Sequence, residues 1–223
     1  MRVFEQDGYA VRLEWGAEGI AALAAQCAVL VVVDVLSFST RVDLAVAGGE
    51  AVVPVRWDAE PPPGPAVALR SPNGATLSAD AAAAGAHVFT ACLRNAAAVA
   101  QAALPLAGNA PIGVIPAGER WGVHVFAEPG STGPLRPCVE DHLGAGTVVT
   151  ALTDLGAGPA SPEALLAALS VRAAGSGLAE LVRASASGRE LRGHGHGELV
   201  DDAVALGASR MAPRLVDGQY RHG

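Results

Sequence analysis

The chain has 223 residues, 51% of them apolar and 17% charged, with a formal net charge of −7. That is enough apolar material for a large core, which excludes wholesale disorder, and an acidic chain lacks the basic face that nucleic-acid binding requires. All fifteen basic residues are arginine, so chemistry that needs a Schiff-base or phosphate-loop lysine is excluded as well.

Residues 9–15 (YAVRLEW) alternate and read as a first strand. The alanine-rich stretch 16–25 is predicted helical and leads to VLVVV at 29–33. This β-branched run is too short for a membrane span and lacks helical periodicity, so it reads as a buried parallel strand. It ends abruptly at Asp34. A helix is expected over 40–47, stopped by Gly48 and Gly49. A strand follows over 51–55, near an edge or cut short by Pro54, and then a proline-rich loop over 56–66. VALR at 67–70 runs into Ser71-Pro72-Asn73-Gly74, with a helix over 75–84 behind it. Strand 87–92, helix 95–103 and strand 112–118 come next. The passage 119–137 is predicted irregular and carries an aromatic, apolar patch at Trp121, Val123, Val125 and Phe126. A loop of that length serves as a lid or as a partner contact, here a homodimer contact. Helices are expected over 140–152, from Ser161 with Pro162 in the first turn, near 177–187 and near 197–206, before a last strand near 213–216. Strand and helix alternate for most of the length, and no linker or repeat divides it. The expectation is one α/β domain over 1–223.

Cys27, Cys92 and Cys138 are odd in number and form no CxxC pair, which fits reduced thiols better than a disulfide framework. Cys27 and Cys92 sit in apolar surroundings and read as core fillers. The N-terminal MRVFEQDGYAVRLEWG carries acids and no apolar h-region. The longest apolar tract, around Ile20 to Val33, is interrupted by Gln26 and falls short of a span. The expectation is a soluble cytoplasmic protein with no membrane partner.

Asp34 ends a buried strand, where open α/β sheets place their ligand crevices. A carboxylate there is costly unless a metal or a hydrogen bond satisfies it. Ser37, Ser39 and Thr40 can cap the following helix, whose N-terminal amides attract anions; the alternative is that Asp34 merely caps that helix. Other strand ends carry Ser71-Pro72-Asn73-Gly74, Arg94-Asn95 and Ala117-Gly118-Glu119, and a helix starts at Glu140-Asp141. In a mainly parallel sheet such ends converge on one rim. Asp34, Glu140 and Asp141 offer hard oxygen ligands of the kind magnesium takes. Asn73, Asn95 and helix amides can hold phosphate oxygens, and Arg94 can oppose their charge. Each also has a plainer reading: Asn73-Gly74 as a turn, Asn95 as a helix cap, Glu140-Asp141 as a complement to the helix dipole. Gly193-His194-Gly195-His196-Gly197-Glu198 can bind zinc, although alternating Gly and His reads first as a flexible loop. The spacing does not match GxGxxG, and no GxSxG occurs, which argues against a dinucleotide fold and an ordinary serine hydrolase.

Taken in order, VVVDVLSFST, SPNGATL, CLRNAAAVA, VIPAG and VEDHLGAGTVV resemble the signature blocks of the 2-phosphosulfolactate phosphatase (ComB-like) family. The tail SGRELRGHGHGELVDDAVALGASRMAPRLVDG resembles that family's ending, so the likeness covers roughly residues 29 to 218. It implies a three-layer α/β/α sandwich with a largely parallel or mixed sheet. It also implies a Mg²⁺-dependent phosphatase that releases phosphate from 2-phosphosulfolactate, in archaea a step of coenzyme M synthesis. By the resemblance, Asp34 matches the family's Asp after the first buried strand, and Asn73-Gly74 its TNG turn. Asn95 matches its Asn at the next strand end, Gly118 the Gly before its variable loop, and Glu140-Asp141 its acidic pair. Three departures stand out. Ser37 occupies the place of the usual Arg in DVLRA, the Gly- and Glu-rich insert before the TNG block is reduced to the proline loop, and 119–137 is longer than usual.

The resulting expectation is a Mg²⁺-dependent phosphomonoesterase for a small, acidic, phosphorylated carboxylate. Asp34 with Glu140 or Asp141 would hold the metal and carry catalysis. Asn73, Gly74, Arg94, Asn95, Ser37, Ser39, Thr40 and Gly118 would surround the substrate. Asp34 is followed by Val35 and Leu36 rather than a DxD pattern, which favours attack by water over a phosphoenzyme. The rival expectation is a catalytically altered anion-binding protein on the same scaffold.

Overall fold

The computed structural model of the chain describes residues 3–123 and 133–223. Its elements are β1 (Val11–Leu13), α1 (Gly16–Leu23), β2 (Val29–Val33), α2 (Phe38–Ala47), β3 (Val52–Val55), β4 (Val67–Arg70), α3 (Gly74–Ala83), β5 (His87–Ala91), α4 (Ala96–Ala107) and β6 (Ile112–Pro116). They continue with β7 (Glu119–Arg120), β8 (Leu135–Arg136), α5 (Val139–Asp154), α6 (Pro162–Ala174), α7 (Leu178–Ala184), α8 (Ala186–Gly193), α9 (Gly197–Ala203), β9 (Pro213–Val216) and β10 (Gln219–His222). Eight strands form one sheet in the order β1-β6-β2-β5-β9-β10-β3-β4, and β7 with β8 forms a separate ribbon.

The apolar run of β2 places it between β5 and β6, parallel to both. All five of its residues are buried. Side chains alternate along a strand, so Val29, Val31 and Val33 join one core with residues of α4, α5 and α6. Leu30 and Val32 join a second core with residues of α1, α2 and α3. A strand apolar on both faces needs a helical layer on each, and this produces the α/β/α sandwich. The sheet is mixed: β9 and β10 pair antiparallel to each other and are inserted between β5 and β3. Cys27, Cys92 and Cys138 are all free and buried.

Three elements differ from the sequence expectation. Strand β10 was not anticipated, because QYRH is mostly polar; a two-residue turn at Asp217 and Gly218, with φ of 50° and 75°, folds it back onto β9. Its Tyr220 is fully buried and donates to the Ser78 hydroxyl. The helix expected near 177–187 is split, since Ser185 breaks it and caps α8 by accepting from the Gly188 amide. The passage expected to be irregular contains the β7–β8 ribbon, while Val125 and Phe126 of its aromatic patch lie outside the described residues.

Residues Pro162–Ala184, 23 residues of mean hydropathy 1.4, are long and apolar enough to cross a membrane by length and composition. A 3-10 turn at Gly175–Gly177 divides them into α6 and α7, each well short of the roughly 20 residues of a spanning helix. Helix α6 packs along α5 at Gly146, where an added Cβ would lie 2.2 Å from the Ala167 carbonyl oxygen. Gly146→Ala is therefore expected to lower Tm by roughly 5–10 °C. A calorimetric melt unchanged by the substitution would show that the two helices part without cost.

Candidate active site

The turn after β2 is tied to itself. The Asp34 amide donates to the Ser39 hydroxyl at 2.9 Å, and the Ser39 amide donates to the Asp34 carbonyl at 2.8 Å. Ser39 Oγ also shares a 2.7 Å hydrogen bond with Thr90, and Thr40 Oγ1 donates to the Val35 carbonyl at 2.8 Å. These bonds aim the Asp34 side chain at the starts of two helices. Its Oδ1 accepts from the Phe38 amide of α2 at 3.2 Å, and its Oδ2 from the Gly74 amide of α3 at 2.9 Å. The Ser71 hydroxyl reaches Oδ2 at 3.5 Å. Glycine is required at 74 by this approach, because a Cβ there would lie 2.4 Å from Phe38 Cδ1 and 2.7 Å from Asp34 Oδ2. Burial pushes the Asp34 carboxyl up to about 6, the Gly74 and Phe38 amides pull it back, and the Glu140 charge adds to the rise.

Asp141, in the first turn of α5, clamps two loops together. Its Oδ1 accepts from the Val35 amide at 2.7 Å and its Oδ2 from the Gly118 amide at 2.8 Å. Gly118 holds a φ of +66°, a left-handed conformation open to glycine. Burial, then the charges of Asp34 and Glu140, raise the Asp141 carboxyl well above the usual range. Glu140 beside it is 2% exposed, and among the described residues nothing donates to its carboxylate. Glu119 completes the group: its Oε2 accepts from Asn73 Nδ2 at 2.8 Å. Burial and then the Asp34 charge push Glu119 up to about 7. Four carboxylates therefore crowd one place, although among the described residues no three His, Cys, Asp or Glu are grouped to hold a metal by themselves.

A cavity of about 430 Å³ opens over this group, lined by Asp34, Ser37, Asn73 and Glu119 together with Arg41, Arg70, Arg120 and Arg136. Of the residues expected around a substrate, Ser37 and Asn73 line it. Gly74 and Gly118 contribute through the amides that hold Asp34 and Asp141. Four others are placed elsewhere. Ser39 and Thr40 are fully buried, their hydroxyls used up within the turn. Asn95 is fully buried and accepts from the Cys92 amide at 2.8 Å. Arg94 turns to α2, where its Nε donates to buried Asp43 at 2.8 Å, and it also donates to the Asp202 carbonyl at 3.0 Å. A buried carboxylate needs a cation more than an open cavity does, so Asp43 claims the guanidinium. His194 and His196 are exposed between α8 and α9. His142 stacks on Trp15 and shares a 3.0 Å hydrogen bond with Ser170.

Glu119 and the cavity arginines are the residues that sequence reasoning passed over. Glu119 followed a recognised strand end, and that position was its only signal. The arginines had none, because they come from four separate segments.

Residues 54–218 match the model of the 2-phosphosulpholactate phosphatase family. The chain belongs to this family. Its description names a phosphatase, and the matched stretch contains Asn73, Gly74, Gly118, Glu119, Glu140 and Asp141. Asp34 precedes the match and is joined to it through the Gly74 amide. Comparison with curated proteins gives no match.

Proposed function

We propose that the protein is a Mg²⁺-dependent phosphatase that hydrolyses a small acidic phosphomonoester, 2-phosphosulfolactate or a related 2-phospho carboxylate, to the 2-hydroxy acid and phosphate. The observation that carries this reading is the buried Asp34, held between the starts of α2 and α3 and facing Asn73, Glu119 and several arginines in one cavity. The donor set suits magnesium, which takes hard carboxylate oxygens from one or two side chains and fills its other positions with water and phosphate. Crowded, buried carboxylates also leave negative charge for a cation to neutralise. Asp34 and Glu140 would hold the ion, and Asp141, between the Val35 and Gly118 amides, would hold the two loops around it. When bound, such an ion offsets phosphate charge and makes a water a better nucleophile.

The chain's own residues supply the rest. Arg136 opposes the charge of the phosphoryl oxygens, and Asn73 orients Glu119 through its side-chain amide. Glu119, raised to about 7, is matched to proton transfer near neutral pH. Water attacks phosphorus and the ester P–O bond breaks. Glu119 takes the water's proton and returns it to the departing hydroxyl oxygen. Phosphate release from 2-phosphosulfolactate and 2-phospholactate, with Mg²⁺ and with EDTA, tests the reading. Metal-dependent release from either supports it, and release from neither overturns it.

A pH dependence follows from the crowded acids. Asp34 rises from 3.8 to about 6 and Glu119 from 4.5 to about 7 on folding. Because both folded values are the higher ones, their stabilising contribution is complete below about pH 4 and is lost as pH rises through about 6 to 7. Metal-free protein is therefore expected to lose Tm between about pH 5 and pH 8, and Mg²⁺ to raise Tm more at the higher pH. Melts with Mg²⁺ and with EDTA check this. A magnesium shift that is equal at both pH values, or absent, would count against Asp34 as a ligand.

A further inference from the structure

Strand β10 delivers one side chain to the core. Of its four residues only Tyr220 is buried, and pairing with Leu215 of β9 and Val52 of β3 fixes its place. It lies outside residues 54–218, the stretch that matches the family model. From there it reaches both amides that hold Asp34. One route runs through polar atoms. The Tyr220 hydroxyl donates to Ser78 Oγ at 2.8 Å, and the Ser78 hydroxyl donates to the Gly74 carbonyl at 2.6 Å. Gly74 then donates its own amide to Asp34 Oδ2 at 2.9 Å. The other route runs through packing. The Tyr220 and Phe38 rings meet edge-on, with centroids 6.1 Å apart and planes at 63°, and the Phe38 amide donates to Asp34 Oδ1 at 3.2 Å.

Filling space does not by itself require a tyrosine here. Phenylalanine has nearly the same shape and brings no hydroxyl, and a buried hydroxyl is costly unless it is bonded. Replacing both members of a buried hydrogen-bonded pair by apolar groups is close to neutral for stability. What the Tyr220–Ser78 pair adds is direction, since hydrogen bonds fix angle and distance while apolar contact does not. With Tyr220 donating to its oxygen, the Ser78 hydroxyl keeps its own proton for the Gly74 carbonyl, four residues back in α3. We propose that Tyr220 is a positioning residue: through Ser78 and Phe38 it holds the starts of α3 and α2 where their amides fix the Asp34 carboxylate. The inference rests on the phosphatase reading for what Asp34 does, and on this hydrogen-bond chain and ring contact for the bracing itself.

Amide hydrogen exchange, followed by NMR without magnesium, on wild type, Tyr220→Phe, Ser78→Ala and Tyr220→Leu tests it. Tyr220→Phe removes the hydroxyl and keeps the ring, so Gly74 exchange is expected to quicken about fivefold relative to the β2 amides, with Phe38 within about twofold of wild type. Ser78→Ala is expected to match it. Tyr220→Leu also removes the ring and is expected to quicken both. Because Tyr220 is fully buried, Tyr220→Phe leaves the cavity surface alone. At saturating Mg²⁺ its kcat for phosphate release is expected to fall about tenfold, with KM within about twofold of wild type. Unchanged Gly74 exchange in Tyr220→Phe overturns the proposal, and so does an increase shared equally by the β2 amides, which would mean a general loosening of the fold. A wild-type kcat beside faster Gly74 exchange overturns it too, since the brace would then serve the fold alone. Release by none of the samples, wild type included, would overturn the phosphatase reading instead, and the exchange rates would still decide the brace.

Discussion

Asp34→Asn is expected to lower kcat for phosphate release by at least about a thousandfold while the protein stays folded. The side chain keeps its shape, so the turn that Ser39 and Thr40 hold is not disturbed. What changes is the charge and one acceptor. The remaining oxygen can accept from the Phe38 amide or the Gly74 amide, and the new NH₂ group must face the other. Removing a charge from a site this deeply buried offsets part of that mismatch, so the loss of stability should stay modest next to the loss of rate. Phosphate release and circular dichroism on the same sample separate the two effects. Turnover within about tenfold of wild type would remove Asp34 from the reacting centre and return it to the role of a helix cap.

Asp141→Ala is expected to act mainly on stability, lowering it by about 3–5 kcal/mol from two orphaned buried amides at about 1–3 kcal/mol each plus the space left behind. The amides are those of Val35 and Gly118. Relief of repulsion from Asp34, Glu140 and Glu119 works in the opposite direction, but Asp141→Asn obtains the same relief and keeps one acceptor. A denaturant titration should therefore rank wild type and Asp141→Asn close together and Asp141→Ala far below. If both variants melted like wild type and both lost their response to Mg²⁺, Asp141 would be a metal ligand rather than a clamp. The result also bears on the acidic pair: Glu140 and Asp141 are adjacent in sequence, yet only Asp141 is spoken for by backbone amides.

Much of the frame is written locally. VLVVV is apolar at every position, so the strand had to be buried on both faces, and helical layers on both sides of the sheet follow. The abrupt change to Asp34 marks a strand end, and Asn73-Gly74 marks a turn that glycine alone fits. Each of these signals is confined to a few neighbouring residues, which is why the α/β class and the position of the central carboxylate were legible in the sequence, while the three-layer build came from the family resemblance. β10 was not, because its burial rests on one tyrosine in a polar strand.

Which polar groups meet was decided only by tertiary structure. Asp34 and Gly74 are 40 residues apart, Val35 and Asp141 106 apart, Asn73 and Glu119 46 apart. Arg94 and Asn95 stand at a strand end as plausibly as Asn73 does, yet Asp43 takes one and the Cys92 amide the other. Arg41, Arg70 and Arg136 look like ordinary surface arginines until the fold brings their segments to one cavity. Periodicity and turn chemistry determine which side of an element is buried and where it stops. The partner of a buried charge is chosen by desolvation and geometry across the packed sheet, and neither exists until the layers close.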